Sequence, residues 1–243
     1  MNKKVRIWYL FHSGFAVETE EHFIVFDYYM DNPIRQPAKL ETGVIRPEQI
    51  AEKNVVVFCS HSHSDHFNPV ILKWRNEVRN IKYILSSDIS APAAENIIFT
   101  SPGNHYNIDD VHIDVLDSTD IGAAFLVNID GITIFHSGDL NWWHWKGESH
   151  KYNTDMKTFY KSQIDMLKGK NIDIAFIPVD PRLEEFYTLG LDYFMTTIDA
   201  QKVFPMHFGN KYSMFEALKR DITSKEYHSR IVNIEYRGQC FTL

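Results

Sequence analysis

The sequence predicts an α/β fold, in the wider sense that takes in α+β arrangements, and three observations predict it. The run Val55-Val56-Val57-Phe58-Cys59 is apolar, β-branched and charge-free, so it reads as a buried strand. A polar turn follows, and Asn68-Pro69 then opens a helical pattern through Val70, Ile71, Leu72 and Trp74. Further on, apolar runs at 123–128 and 132–136 flank Ile129-Asp130-Gly131, where Asp-Gly is a strong hairpin signal.

The other elements follow in order. Residues 5–10 read as a strand, His12-Ser13-Gly14 as a turn, and 16–19 with 22–26 as a hairpin around Glu20-Glu21. Residues 28–47 hold three prolines and little periodicity, which predicts a long loop whose Tyr28, Tyr29, Met30 and Ile34 either overhang a cleft or pack on the surface. Residues 47–53 read as a short helix. After the central strand come helices at 68–77 and at 88–95, the second capped by Ser87 or Asp88, and strands at 82–85, 97–99 and 111–116. Helical patterns at 154–168, 192–200 and 212–221 alternate with strands at 172–178, 203–206 and 231–236. No linker divides the chain, so residues 1–243 are expected to form a single domain.

Composition narrows the function class. The 243 residues are 44% hydrophobic and 23% charged, ordinary for a soluble globular protein. Two well-separated cysteines, Cys59 and Cys240, make no disulfide framework, and with no signal-peptide pattern the expected location is the cytoplasm. No run is long enough to span a membrane. A formal net charge of −7 argues against a nucleic-acid partner, and Lys202, Lys211, Lys219 and Arg220 read as a solvated face.

The chemistry concentrates in His61-Ser62-His63-Ser64-Asp65-His66, three imidazoles and a carboxylate at the C-terminal edge of the central strand. Open α/β sheets place ligand sites at such edges. Neutral imidazole suits Zn, Fe or Ni, and a carboxylate adds charge. In so tight a turn His61 and His63 can point one way while Asp65 and His66 reach a second position. Beyond the later strands lie His136-Ser137-Gly138-Asp139 and, after 203–206, His207. Trp142, Trp143 and Trp145 form either a hydrophobic lid or an aromatic wall for a substrate. His144 between them is a candidate proton shuttle, substrate contact or extra ligand. Arg182 either binds a phosphate or carboxylate, for which its planar fork suits it, or pairs with Glu184 or Glu185.

His61-x-His63-x-Asp65-His66 resembles the signature of the metallo-β-lactamase superfamily, and the resemblance spans nearly the whole chain. It implies a four-layer αβ/βα sandwich holding one or two divalent metals, Zn first, with Mn or Fe as alternatives. It implies metal ligation by His61, His63, Asp65, His66 and His207, with Asp139 bridging, and an orienting role through hydrogen bonds for Asp27. Family members usually carry a further histidine at the end of the strand before the Asp-Gly hairpin. This chain has none there, so Asp117, Asp120 or a swung-in His144 replaces it, or that metal position is weak or empty. His12-Ser13-Gly14-Phe15, Phe135-His136-Ser137-Gly138-Asp139 and Pro205-Met206-His207-Phe208-Gly209 are most similar to the ascorbate-phosphate lactonase-like branch. The implied activity is hydrolysis of an ester, lactone or phosphodiester bond of a small molecule by a metal-bound hydroxide, with Asp65 or His144 managing the proton. An iron-dependent redox member or a non-catalytic metal-binding protein is the alternative. Neither the substrate nor the oligomeric state is legible.

Overall fold

In the computed structural model, which describes residues 4–243, the chain divides into two compact units, Met1–Ser101 with Glu235–Leu243 and Pro102–Ile234. Each is built on one mixed sheet, so the expected fold class is the one that forms.

The first unit holds seven strands: β1 (Arg6–Phe11), β2 (Gly14–Glu18), β3 (His22–Phe26), β4 (Asn54–Cys59), β5 (Asn80–Ser86), β6 (Ile97–Thr100) and β13 (Cys240–Thr242). Their order is β13-β1-β2-β3-β4-β5-β6. The pairs from β13 to β3 are antiparallel, and β3, β4, β5 and β6 run parallel. Val55 to Cys59 is buried on both faces of the sheet, which is why it reads as an unbroken apolar run instead of an alternating one. The helix expected at 68–77 is a 3-10 helix, Pro69–Asn76, entered by Asn68, whose side chain accepts from Val70 N at 3.0 Å. Its Ile71 and Trp74 belong to the same hydrophobic core as Trp8, Val25, Val57 and Tyr83 of the sheet.

The long segment after β3 is tied down, not draped. Arg237 donates to the carbonyls of Leu10, Met30, Asn32 and Gly43. Gly43 is needed there: its φ is +79°, and a Cβ would lie 2.5 Å from the Arg237 side chain. Tyr28 is buried, its hydroxyl donating to Asp31 at 2.7 Å and accepting from Ile45 N at 3.2 Å. It is core, while Tyr29 and Met30 are half-buried and Ile34 is exposed.

The second unit holds β7 (His105–Ile108), β8 (Val111–Asp117), β9 (Ala123–Ile129), β10 (Ile132–His136), β11 (Asn171–Pro178) and β12 (Asp199–Met206) in the order β12-β11-β10-β9-β8-β7. β7 to β10 form an antiparallel meander, and β10, β11 and β12 run parallel. Asp130 and Gly131 both take positive φ, 50° and 64°, as the hairpin signal requires. Three helices accompany this sheet: α1 (His150–Asp165), α2 (Leu189–Thr197) and α3 (Met214–Ile222). Tyr160 of α1 donates to the Gly190 carbonyl of α2 at 2.8 Å.

Several expected elements differ. The helix at 88–95 does not form: Asp88 spends its carboxylate on Ser62 N at 2.8 Å, and Pro92 removes a helical donor. Residues 231–236 make only an isolated bridge, Val203 to Ile231, before the chain passes into the other unit. The short helix at 47–53 is one 3-10 turn, Pro47–Gln49. α1 starts four residues early because Ser149 caps it, accepting from Tyr152 N at 3.1 Å. Strands β7 and β13 were not anticipated, being short and half polar.

Candidate metal centre

In the first unit the parallel pair β3 and β4 ends in two turns that share one carboxylate. Asp27 continues the ladder for one residue, its N–H donating to the Phe58 carbonyl at 3.0 Å, and then turns with φ +44°. This aims its buried carboxylate across the end of β4. Oδ1 accepts from Ser60 N at 2.7 Å, and Oδ2 accepts from the Ser60 hydroxyl and lies 2.7 Å from His66 Nδ1. The Ser60 hydroxyl, its own proton spent on Asp27, lies 2.9 Å from His61 Nδ1.

This network sets the tautomers. A carboxylate accepts only, so His66 carries its proton on Nδ1; the Ser60 oxygen then accepts from His61 Nδ1–H. Both rings therefore present the Nε2 lone pair, the donor a divalent metal takes, and a carboxylate behind such a ring is the usual support of a metal-binding histidine. His61 and His66 are fully buried, with ring centroids 4.0 Å apart. His63 is exposed and meets His61 edge-on at 4.7 Å. Donor atoms of His61 and His63 lie within 4.8 Å of each other, and so do those of Asp65 and His66. Asp65 itself is half-exposed.

The second unit repeats the device on its own parallel pair, β11 and β12. Val179 N extends the ladder to the Met206 carbonyl at 2.9 Å, and His207 turns with φ +66°. Its Nδ1 lies 3.0 Å from Asp180 Oδ2, and its Nε2 lies 3.3 Å from Asp139 Oδ1. Asp180 also accepts from Arg182 N and Nε, each at 2.8 Å. Burial pushes Asp180 up, but His207 and Arg182 outweigh it and hold the carboxyl near 2. Burial pushes His207 down, yet Asp139 and Asp180 together hold it up at about 10.

Asp139 is fixed through its backbone. Its carbonyl accepts from Trp143 Nε1 at 2.9 Å and from the Thr119 hydroxyl at 3.1 Å. The same hydroxyl ties Asn141, and so holds the 117–122 turn to the 139–141 turn. Asp120 rides on that turn, with a carboxylate oxygen within 4.8 Å of one on Asp139.

The remaining sequence candidates fall elsewhere. Asp117 is exposed and folds its carboxylate onto Ser118 N at 2.9 Å, and it joins no group of potential metal donors among the described residues. His144 lies against the Phe186 ring at 4.1 Å and likewise joins no such group among the described residues. Trp143 is buried and meets His207 edge-on at 5.3 Å, so it braces ligand candidates instead of standing open as a wall. Trp142 is covered by Lys161 and Lys157 at 4.9 and 5.5 Å. Arg182 is committed to Asp180 and lies over Trp145 at 5.8 Å, while Glu184 and Glu185 pair with Lys146. Sequence reading missed Asp180 as a partner of His207. Nothing near Asp180 in sequence points to His207: the two meet because β11 and β12 run parallel, with Asp180 two residues past the end of one and His207 directly after the other.

Fold and ligand chemistry together define the class: the chain belongs to the β-lactamase superfamily, whose domain model matches residues 6–207. Among its relatives is a UPF0173 metal-dependent hydrolase of Opitutus terrae, 24% identical over 85% of this chain and 86% of that protein. Among solved structures, Igni18, a metallo hydrolase from Ignicoccus hospitalis, superposes with a TM-score of 0.61 at 17% identity, covering 99% of this chain and 98% of that one. CmlA, a diiron β-hydroxylase from Streptomyces venezuelae, reaches 0.63 at 10% identity over 99% of this chain and 54% of its own. One fold thus hosts both reaction types, so the reaction must be argued from the residues.

Proposed function

We propose that this protein is a metal-dependent hydrolase that cleaves an ester, lactone or phosphodiester bond of a small molecule. The proposed ligands are His61, His63, Asp65, His66, Asp139 and His207 on two divalent ions. Asp120 takes the place of the missing histidine; Asp117 is set aside because its carboxylate folds back on Ser118. The observation that carries the reading is the Asp27–Ser60 network, which turns the Nε2 lone pairs of two buried imidazoles outward from their support. The ions, when bound, polarise the scissile oxygen and lower the pKa of water toward neutrality.

The protein's own groups do the rest. Asp27 and Asp180 hold His66 and His207 by Nδ1, and Trp143 with Thr119 fixes the backbone of Asp139. Asp65, half-exposed, is the group we propose to carry the proton to the leaving oxygen. Zn is the preferred ion, and an oxygen-rich position at Asp120 would favour Mn or Fe more than an all-histidine one. The finer assignment to the ascorbate-phosphate lactonase-like branch is supported by the sequence at 12–15, 135–139 and 205–209. Two free cysteines agree with a cytoplasmic location. We also propose that both units act as one catalytic domain.

Elemental mass spectrometry on untagged protein tests this together with a panel of nitrophenyl esters, lactones and bis-nitrophenyl phosphate. The expected outcome is close to two metals per chain, with turnover that disappears in His61→Ala. Metal-replete protein inactive on the whole panel would overturn the hydrolase reading; if the metal were iron, a redox reaction would take its place.

A further inference from the structure

His12 stands in the first unit, outside the His61–His66 motif and without a role in the ligand set that the resemblance implies. The β1–β2 register slips between Tyr9 and Phe11, and the chain enters the hairpin turn with His12 at φ +56°. An irregularity of this kind re-aims a side chain and is common beside functional sites. The buried Tyr9 hydroxyl fixes the turn by accepting from His12 N at 2.9 Å. Gly14 lets the turn lie directly on Asp27: a Cβ there would come within 2.9 Å of the Asp27 carbonyl and 3.0 Å of that of Phe11. The loop bearing His12 is thus seated on the residue that orients His66.

The ring is aimed accordingly. His12 Nε2 lies 3.5 Å from Asp65 Oδ2, and the ring stands edge-on to His66 at 5.7 Å. One donor atom from each of His12, Asp65 and His66 lies within 4.8 Å of the others, and the 3.5 Å between His12 Nε2 and Asp65 Oδ2 is a separation that one divalent ion with bonds of about 2.0–2.2 Å can span. Gly or Asn would take this backbone conformation with less strain, so the turn alone gives no reason for an imidazole. The donors it faces do.

We infer that His12 is a metal ligand, binding through Nε2 the same ion as Asp65 and His66. This rests on the proposed metal centre and deepens it. The chain lacks the expected histidine on the His61/His63 side, and His12 makes the Asp65/His66 side richer in nitrogen. The two positions should therefore differ in preference, with the softer ion held at the His12 side.

The test is cobalt titration of metal-stripped full-length protein, followed by its visible absorption, with chelator competition to give the affinity of each position. In His12→Ala one position should weaken at least tenfold and its absorption band should shift, while the other is unchanged. His12→Gln, which can still hydrogen-bond Asp65 but ligates poorly, should behave like His12→Ala. Full affinity in His12→Gln would overturn ligation and leave His12 as a positioning residue for Asp65; full affinity in both variants would remove it from the centre. If either variant fails to fold, the imidazole nitrogen shifts of unmodified protein decide instead. His12 Nε2 must move on loading with zinc, and an unmoved signal overturns the inference. Unmodified protein that binds no cobalt at all would sink the metal centre itself, a distinguishable failure.

Discussion

The two units solve one problem with different electrostatics. In each, neighbouring parallel strands end side by side, the ladder runs on for one residue, and a buried aspartate grips the Nδ1 of a histidine: Asp27 with His66, Asp180 with His207. Asp27 is held by Ser60 N–H, Ser60 O–H and His66, a set of directional hydrogen bonds. Asp180 is gripped by a guanidinium as well, and its histidine faces a second carboxylate, Asp139. The first arrangement fixes a tautomer by directional bonds, and the second stabilises a charged imidazole in metal-free protein. Geometry dominates one and charge the other.

The largest expected effect follows from removing the first carboxylate. Asp27→Ala leaves Ser60 N–H, its hydroxyl and His66 without their acceptor in a buried setting, and should cost about 3–5 kcal/mol of stability. Chemical denaturation of the metal-free protein measures this. Asp27→Asn should recover part of it but not the metal affinity, because an amide can donate to His66 Nδ1 and invert the tautomer. Equal metal binding in the Asn variant would break the tautomer argument.

Asp180→Asn tests the charged pair by pH. His207 is raised from 6.5 to about 10, so its contribution is complete below about 6.5 and is lost as the pH rises toward 10. Asp180 is depressed from 3.8 to about 2, so its contribution is present above 3.8 and is lost as the pH falls toward 2. Metal-free protein should thus be most stable between about pH 4 and 6.5 where this pair is concerned, and Asp180→Asn should flatten both flanks of a Tm-against-pH profile. The same charge makes metal compete with a proton at His207, so affinity should rise with pH and binding should release a proton. Calorimetry in buffers of different ionisation enthalpy reads that proton. Asp27→Asn should leave both flanks as they are.

How much of this was legible depends on where the information lay. Val55 to Cys59 and the His61–His66 turn are local in sequence, and both the strand and the two-way split of the turn are present in the structure. Asp27 is singled out because the resemblance implies an orienting role for it, while its partner His66, 39 residues away, is seen only in the fold. Asp180 is not, since nothing local pairs it with His207, and the contact exists only because β11 and β12 lie parallel. The helix expected at 88–95 failed for a related reason: Asp88 is a good cap in isolation, but Ser62 competes for its carboxylate through the fold. The long segment 28–47 likewise owes its order to Arg237, which lies 205 residues beyond Asn32 in sequence.

Trp143→Phe should have a smaller effect than either carboxylate. It removes the donor to the Asp139 carbonyl but keeps an aromatic edge for His207, so about 1 kcal/mol of stability and a few-fold in metal affinity are expected. A change in stability alone, with metal binding untouched, would separate Asp139 from the brace.

Arg182→Ala should have the smallest effect on stability and distinguishes two roles for one side chain. The Arg182 side chain is 57% exposed, so solvent screens its pairing with Asp180, and loss of less than about 1 kcal/mol is expected. Asp180 would keep His207 and the backbone N–H of residue 182, and the acid flank of the stability profile should move upward in pH because one of the groups depressing its carboxyl is gone. An arginine that instead anchors an anionic substrate would raise KM on a phosphate or carboxylate substrate by about tenfold or more and leave that flank in place. The Nε and Nη2 edge of the guanidinium is already committed to both oxygens of Asp180, so the shift in the acid flank is the outcome expected.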